Sequence, residues 1–566
     1  MYQQTLDPIG GSLGWSAVIA AVPLLAMFVM LGVFRWKAHR AALIALALAV
    51  CAAIVGWQMP IGQAASATAE GAFYGLFPIL WILVNALFVY KLTVVSGWFE
   101  ELGRVIRSIS DDQRILAILI AFCFGALLES LAGFGAPVAI SAAMLLAAGM
   151  KPLKAACTSL LANTAPVAFG ALGAPILALA GVTGLPLDDL SAMAGRQTPF
   201  IAAIIPLVMV FLVDGRRGVR QTWPVALVAG LVFGLAQFLT ANYFTVELTD
   251  VVAAIVTVIA VLGMLKFWSP AETLAATPDV PARDGGRAPV GAGIGVGITT
   301  GSGADTTAST SPGRFDHYGR GRRAVYALAP YVTIIAIFSL AQVPVVKSWL
   351  ADVGTVAFAW PGLDIVDPDG NAVGAQTFKL DHLRATGTLL LLSAVVTTVI
   401  YGIGIREALR AYWDTLVQLR WTIVTVTAVL ALAFVMNLSG QTGSLGMALA
   451  STGGLFAILS PVIGWIGVAI TGSDTSSNSL FGVMQMTAAQ QAGLDPVLMA
   501  SANSSAGVLG KMLSPQNLSV AVAAVGLPGS EGAILRKLVG WSLGLLAFLT
   551  IIIYLQSTPV LGWMVP

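Results

Sequence analysis

Twelve stretches of this sequence are apolar over about the 20 residues a helix needs to cross a bilayer, and that repetition restricts the fold more than any other feature. They lie near residues 13–34, 41–59, 71–96, 155–181, 197–213, 223–241, 251–267, 324–343, 386–404, 421–438, 497–526 and 538–556. Backbone polar groups find no water in hydrocarbon, so spans of this length fold as helices. The expectation is an all-α polytopic membrane protein of about 12 transmembrane helices plus two helical hairpins. With 57% hydrophobic and 10% charged residues among 566, and a mean hydropathy of +0.88, an ordinary soluble fold is excluded. The net charge of +2 gives no sign of a nucleic-acid partner. Cys51, Cys123 and Cys157 all fall in apolar runs and read as packing residues, with neither a disulfide framework nor a metal site implied; no cofactor is expected. The run after Met1–Leu13 reads as a retained first helix.

Short cationic loops belong on the cytoplasmic side. Arg35, Lys37 and Arg40, then Arg104, Arg107 and Arg114, Lys151 and Lys154, Arg216, Arg217 and Arg220, and Arg406, Arg410 and Arg420 share one side in the alternation. Asp188, Asp189, Glu247, Asp250, Asp364, Asp367 and Asp369 share the other. Both termini then lie outside. The chain divides into a membrane half at 1–268, a disordered cytoplasmic linker at 269–323, a transmembrane helix at 324–343, an extracellular loop at 344–385 and a second membrane half at 386–566. The linker is rich in Pro, Gly, Thr and Ala and lacks the strand and helix a phosphate-cradling loop requires. Within the outside loop, Thr355–Phe358 and Gln376–Leu380 flank the turn signal Asp367-Pro368-Asp369-Gly370, the pattern of a small β-ribbon.

Two regions, about 115–149 and 444–492, are apolar arms around Gly- and Ser-rich tips. Each reads as a re-entrant hairpin or as two full crossings, and either returns the chain to the side it left. Their tips are Leu127–Pro137 and Thr471–Gly482. The segments downstream of the two hairpins match in spacing. Gly149-x-x-Pro152 is followed by Asn163, Gly170 and Pro175, and Gly493-x-x-Pro496 by Asn503, Gly510 and Pro515. Lys151 is assigned inside and Asp495 outside, so the copies run in opposite directions: inverted-topology repeats with discontinuous helices, the architecture of many secondary transporters. The expected interruptions are Asn163–Pro166 and Asn503–Gly507, where freed backbone groups line a cavity and half-helix N-termini suit a carboxylate.

Of 27 acidic residues, Glu129 and Asp474 alone are placed in membrane interruptions, and Lys511 is the one cation well inside an apolar segment. An ionisable group at that depth costs on the order of 3 kcal/mol, so its default reading is functional. Glu129 and Asp474 are candidates for carrying the coupled proton; Asp474 alternatively binds a cation or pairs with Lys511. Lys511 faces a substrate carboxylate or only neutralises Asp474. Asn163, Thr164, Asn503, Ser504 and Ser505 offer donors and acceptors to a small hydroxylated carboxylate or tie up backbone freed by the breaks. Ser130, Ser473, Thr475 and Asn478 stand beside the two carboxyls, and Gly133 and Gly135 shape the first tip. His39, His317 and His382 lie in loops, and no Gly-x-Ser-x-Gly elbow sits at a strand-to-helix turn, which counts against a membrane hydrolase.

Leu128-Glu129-Ser130-Leu131-Ala132-Gly133-Phe134-Gly135-Ala136-Pro137, with Gly472-Ser473-Asp474-Thr475-Ser476-Ser477-Asn478, closely resembles the bacterial L-lactate permease family. The resemblance covers most of the chain, leaving 269–323 and 344–385 as variable inserts. It implies uptake of L-lactate and glycolate by proton symport. More distantly, the paired Asn-Thr and Asn-Ser breaks look like those of sodium-coupled carboxylate carriers, so a sodium-coupled mono- or dicarboxylate transporter is the alternative.

Overall fold

The computed structural model describes residues 1–107, 109–133, 135–274, 320–368, 370–371, 373 and 376–566. Among the described residues, ten helical stretches are long and apolar enough to cross a membrane, eleven with the bent pair Pro152–Ala162 and Val167–Thr183, which meet at 61°. One of the ten, Leu187–Tyr243, is 57 residues long and folds back on itself. Gly215 has φ 65° and ψ −151°, and beyond it a Cβ on Gly230 would lie 2.4 Å from the Ala203 carbonyl oxygen. Residues 198–213 and 223–243 are therefore two antiparallel arms in backbone contact. Two further runs are shorter than expected: Thr386–Tyr401 is one helix of 16 residues, and 497–526 is divided between Pro496–Lys511 and Pro515–Ala524.

The first hairpin descends through Gln113–Leu131, wholly buried, and returns through Ala136–Ala147. At about 1.5 Å per residue a 12-residue return arm is roughly 18 Å long, short of the roughly 30 Å hydrocarbon core. The second has arms Phe456–Thr471 and Asp474–Gln491, preceded by a separate short helix, Gln441–Ala450. Both copies turn the same corner after the hairpin. Gly149 (φ 83°) and Gly493 (φ 70°) take the left-handed conformation that a Cβ disfavours, and Pro152 and Pro496 then open the next helix. The copies embrace reciprocally: Ala136–Ala147 packs on Pro515–Ala524, and Asp474–Gln491 packs on Gly170–Thr183.

One break falls where expected and one does not. The chain leaves helix after Ala162 and re-enters through Val167–Phe169 and a left-handed turn at Ala171, Leu172 and Gly173. In the second copy Asn503–Gly507 is unbroken helix within Pro496–Lys511, and the interruption is Met512–Ser514. Proline accounts for both. Pro166 and Pro515 lack the N–H and push the preceding residue out of helix, whereas Asn503 and Ser504 spend their side chains on neighbouring helices and leave their own backbone helical.

In the 344–385 region Thr355–Ala359 pairs antiparallel with Thr377–Asp381, Thr355 opposite Asp381. A helix, Pro344–Gly354, precedes the ribbon where only loop was expected. The strand Tyr2–Gln3 lies parallel to Ile365–Val366, so the N-terminus and this region share a face. Most of the expected linker, 275–319, and with it His317, lies outside the described residues. Its first residues return to the first hairpin, where the Leu274 N–H donates to Asp112 Oδ2 at 3.2 Å and its carbonyl accepts from Gln113 at 3.0 Å. Its last residues, from Arg320, already belong to the helix Arg320–Gln342.

Candidate functional site

Glu129 sits in the last turn before the first hairpin tip, 2% exposed. Its Oε2 accepts from Asn163 Nδ2 at 2.8 Å and its Oε1 from Lys511 Nζ at 2.6 Å; Lys511 also donates to the Gly133 carbonyl at 3.1 Å. Glycines make room for the carboxylate, since a Cβ on Gly133 or on Gly170 would come within 2.9 Å of Oε1. The two repeats thus meet in one buried ion pair, an anion from the first hairpin and a cation from the end of the second helix. Lys511 neutralises Glu129 and not Asp474, which corrects one of the pairings the sequence left open.

Asp474 begins the helix after the second tip, where Gly472 (φ 75°) turns the chain and Ser473 Oγ caps the helix by accepting from the Ser476 N–H at 3.2 Å. Asp474 Oδ2 accepts from Ser504 Oγ at 2.5 Å, while Oδ1 is buried and has no partner among the described residues. A cavity of about 40 Å³ lies between these groups, lined by Glu129, Gly133, Ser473, Asp474, Thr475 and Lys511, together with Gly170, Ala171 and Pro175 of the first broken helix and Gln516 of the second. That exceeds the roughly 10–15 Å³ that a single water needs. Ala171 (φ 45°) and Leu172 (φ 51°) hold the cavity wall in a conformation that non-glycine residues rarely adopt.

Of the residues singled out in the sequence, Glu129, Gly133, Ser473, Asp474, Thr475 and Lys511 line the cavity, Asn163 reaches it through Glu129, and Ser504 through Asp474. The others are placed elsewhere. Ser130 donates to the Leu127 carbonyl within its helix, and Thr164, in the break, to the Leu161 carbonyl. Asn503 donates to Asn478 Oδ1 at 2.9 Å, and Asn478 to the Pro175 carbonyl at 3.0 Å, an amide chain that ties the two repeats together. Ser505 is buried with no partner for its hydroxyl among the described residues, and Gly135 turns the tip against Asn517 and Val520.

Other groups are not candidates on sequence grounds. Gln516, in the cavity wall, follows Pro515, and a polar residue directly after a helix-breaking proline is a usable signal. Asp250 falls in the acidic set assigned to the outside loops and Glu70 lies at a run end, yet both are buried at 1% exposure and each has an unpartnered oxygen. Arg114, in the set of loop cations, is fully buried on Asp112 at 2.7 Å, with Asp214 at 3.1 Å.

The sequence model described as L-lactate permease matches residues 16–560. The chain belongs to the L-lactate permease family. The L-lactate permease of Bacillus subtilis (strain 168) is 41% identical over 584 residues, covering 100% of both chains. The glycolate permease GlcA of Escherichia coli (strain K12) is 41% identical over 575 residues, covering 100% of this chain and 99% of that one. Among solved structures, Neisseria gonorrhoeae MtrF, of a class of antimetabolite efflux pumps, aligns over 94% of this chain and 97% of its own with TM-score 0.45 and 15% identity. As a member of the L-lactate permease family the chain is a multi-pass membrane transporter and not an enzyme.

Proposed function

We propose that this permease imports small 2-hydroxy monocarboxylates, L-lactate and glycolate, by proton symport through the cavity between its two hairpins. The L-lactate and glycolate permeases among its relatives support the substrate class. The observation that carries the coupling is the Lys511–Glu129 pair at 2.6 Å in the cavity wall. A carboxylate guest competes with Glu129 for Lys511. Released from its cation, Glu129 is a buried carboxylate with one amide hydrogen bond, an arrangement too costly to keep charged, and it takes a proton. The site then holds the guest anion on Lys511 and a neutral Glu129, so its total charge is the same empty or loaded. A loaded unit of unchanged charge crosses the low-dielectric interior more cheaply than the bare anion. Asp474, in the same wall, receives the guest's 2-hydroxyl.

Access alternates as the embraced pair of hairpins slides or rocks against the remaining helices. The setting is a bacterial inner membrane with both termini on the periplasmic side, supported by the clustering of Arg and Lys in loops that alternate along the chain. The test is uptake of labelled L-lactate into proteoliposomes driven by an inward pH gradient without sodium. Accumulation above equilibrium that a protonophore collapses is the expected result. Accumulation only after sodium is added would replace the reading with sodium coupling.

A further inference from the structure

Glu129 is not the only carboxyl attached to the first break. Asp250, 1% exposed in the first turn of Thr249–Leu265, accepts a 3.1 Å hydrogen bond on Oδ1 from Gln237 Nε2, and its Oδ2 has no partner among the described residues. The same Gln237 amide donates to the Ala165 carbonyl at 3.3 Å, so both of its hydrogens are spent. Asn163, two residues before Ala165, donates to Glu129. The four-residue break Asn163–Pro166 is therefore held at one point by Glu129 and at another, through Gln237, by Asp250. The turn before Asp250 also packs on the left-handed turn that follows the break: a Cβ on Gly173 would lie 3.0 Å from Val246 Cγ2.

Charges around Asp250 are few. The arms 198–213 and 223–243 and the helix Gly170–Thr183 contain no charged residue, and Asp250 is the one charge in Thr249–Leu265. The first hairpin arm offers Glu129 and the buried thiol of Cys123; Lys511 acts on Asp250 at longer range. Glu247, on the preceding turn, is bonded to Thr245 and to Thr386. No cation pairs with Asp250 among the described residues, and one neutral amide does not compensate a buried carboxylate.

We propose that Asp250 is the proton site that feeds Glu129, loaded from the face where Asp188, Asp189 and Glu247 lie. This rests on the symport reading above. In the step itself the Asp250 carboxylic O–H breaks and its proton goes to the Glu129 carboxylate that a guest has displaced from Lys511. Asp250 is left ionised, its Oδ1 gripping Gln237 more strongly and pulling on Ala165, until a proton from outside restores it. Proton transfer and the geometry of the break are thereby linked through one amide.

The test compares wild type, Asp250→Asn and Asp250→Glu in proteoliposomes by two assays, net L-lactate uptake driven by a pH gradient and exchange of labelled for unlabelled L-lactate at equal pH. Asp250→Asn keeps the shape and the Gln237 contact. It is expected to lower net uptake about a hundredfold, the low end of what a positioned proton donor contributes, with exchange persisting; Asp250→Glu recovers net uptake in part. Wild-type net uptake in Asp250→Asn overturns the proposal. So does loss of both assays in a protein of unchanged Tm that Asp250→Glu does not rescue, since that is the signature of a positioning role. Failure of the symport reading is distinguished on wild type alone, by uptake that needs no pH gradient. Infrared difference spectroscopy gives an independent reading: the wild-type minus Asp250→Asn spectrum is expected to hold a protonated-carboxyl C=O band, in which the bands of Glu70 and Asp474 cancel, and its absence overturns the assignment.

Discussion

The two repeats share a backbone plan and divide the chemistry between them. Each runs hairpin, left-handed glycine, proline, helix, break, and each lays the second arm of its hairpin on the other's half-helix. The first breaks early, at Asn163–Pro166, and brings an anion, Glu129; the second stays helical past Asn503 as far as Lys511 and brings a cation there, with Asp474 at its tip. A duplicated frame solves the problem of burying unwound backbone twice. Unlike charges on the two copies solve a different one: under the proposed symport an anion has one place to bind and one competitor to displace.

The largest effect should come from removing the cation. Lys511→Met removes the cation that the guest binds; losing one partner of a buried, hydrogen-bonded charge pair costs about 3–4 kcal/mol in binding, so uptake of L-lactate should fall by two to three orders of magnitude. Uptake within a few-fold of wild type would show that the guest does not use Lys511. The reciprocal change should separate the two charges. Glu129→Gln keeps the cation for the guest, so exchange of bound L-lactate should persist while net proton-driven uptake falls about a hundredfold. If both substitutions have the same profile, the division of labour between the repeats is wrong.

Asp474→Asn sharpens the contrast at the hydroxyl end. A neutral hydrogen bond is worth about 0.5–1.5 kcal/mol, so competition assays should show L-lactate losing roughly two- to tenfold in affinity while propionate, which lacks the 2-hydroxyl, changes little. Equal loss for both acids would place Asp474 in the frame and not on the guest.

How far these features are legible in the sequence depends on how local each one is. Glu129, Asp474 and Lys511 stand out because a charge inside an apolar run is rare and costly. The Gly-x-x-Pro corners stand out because both residues restrict the backbone on their own account. That Lys511 serves Glu129, 382 residues away, is a fact of how two repeats pack, and no local pattern contains it. Asp250 is misplaced by the sequence because hydropathy sets a span's edge only to within a turn, and one turn separates it from the exposed side. The second break is misplaced because an Asn-Ser-Ser run weakens a helix only when its side chains turn back on their own backbone; here they reach across to Asn478 and Asp474.

The smallest effects give the sharpest view of the repeats, at one position they share. Gly170 and Gly510 stand at the same interval after Asn163 and Asn503 and before Pro175 and Pro515. A Cβ on Gly510 would lie 2.3 Å from the Trp465 carbonyl oxygen and 2.8 Å from the Ala469 nitrogen, backbone that cannot give way. A Cβ on Gly170 would meet only the end of the Glu129 side chain, at 2.9 Å from Oε1. Gly510→Ala gains about 1 kcal/mol of helix propensity but overpacks a helix pair, typically costing 1–3 kcal/mol, so its net effect should be a modestly lower Tm in detergent with transport by the folded fraction retained. Gly170→Ala should shift the carboxylate off Lys511, a change of about 1 kcal/mol, read as a slightly lower Tm and as roughly fivefold in the concentration of L-lactate that half-saturates uptake. The direction follows from competition: a weaker Glu129–Lys511 pair lets the guest in more easily, so that concentration should fall. If it rises instead, Glu129 helps to hold the guest and does not compete with it.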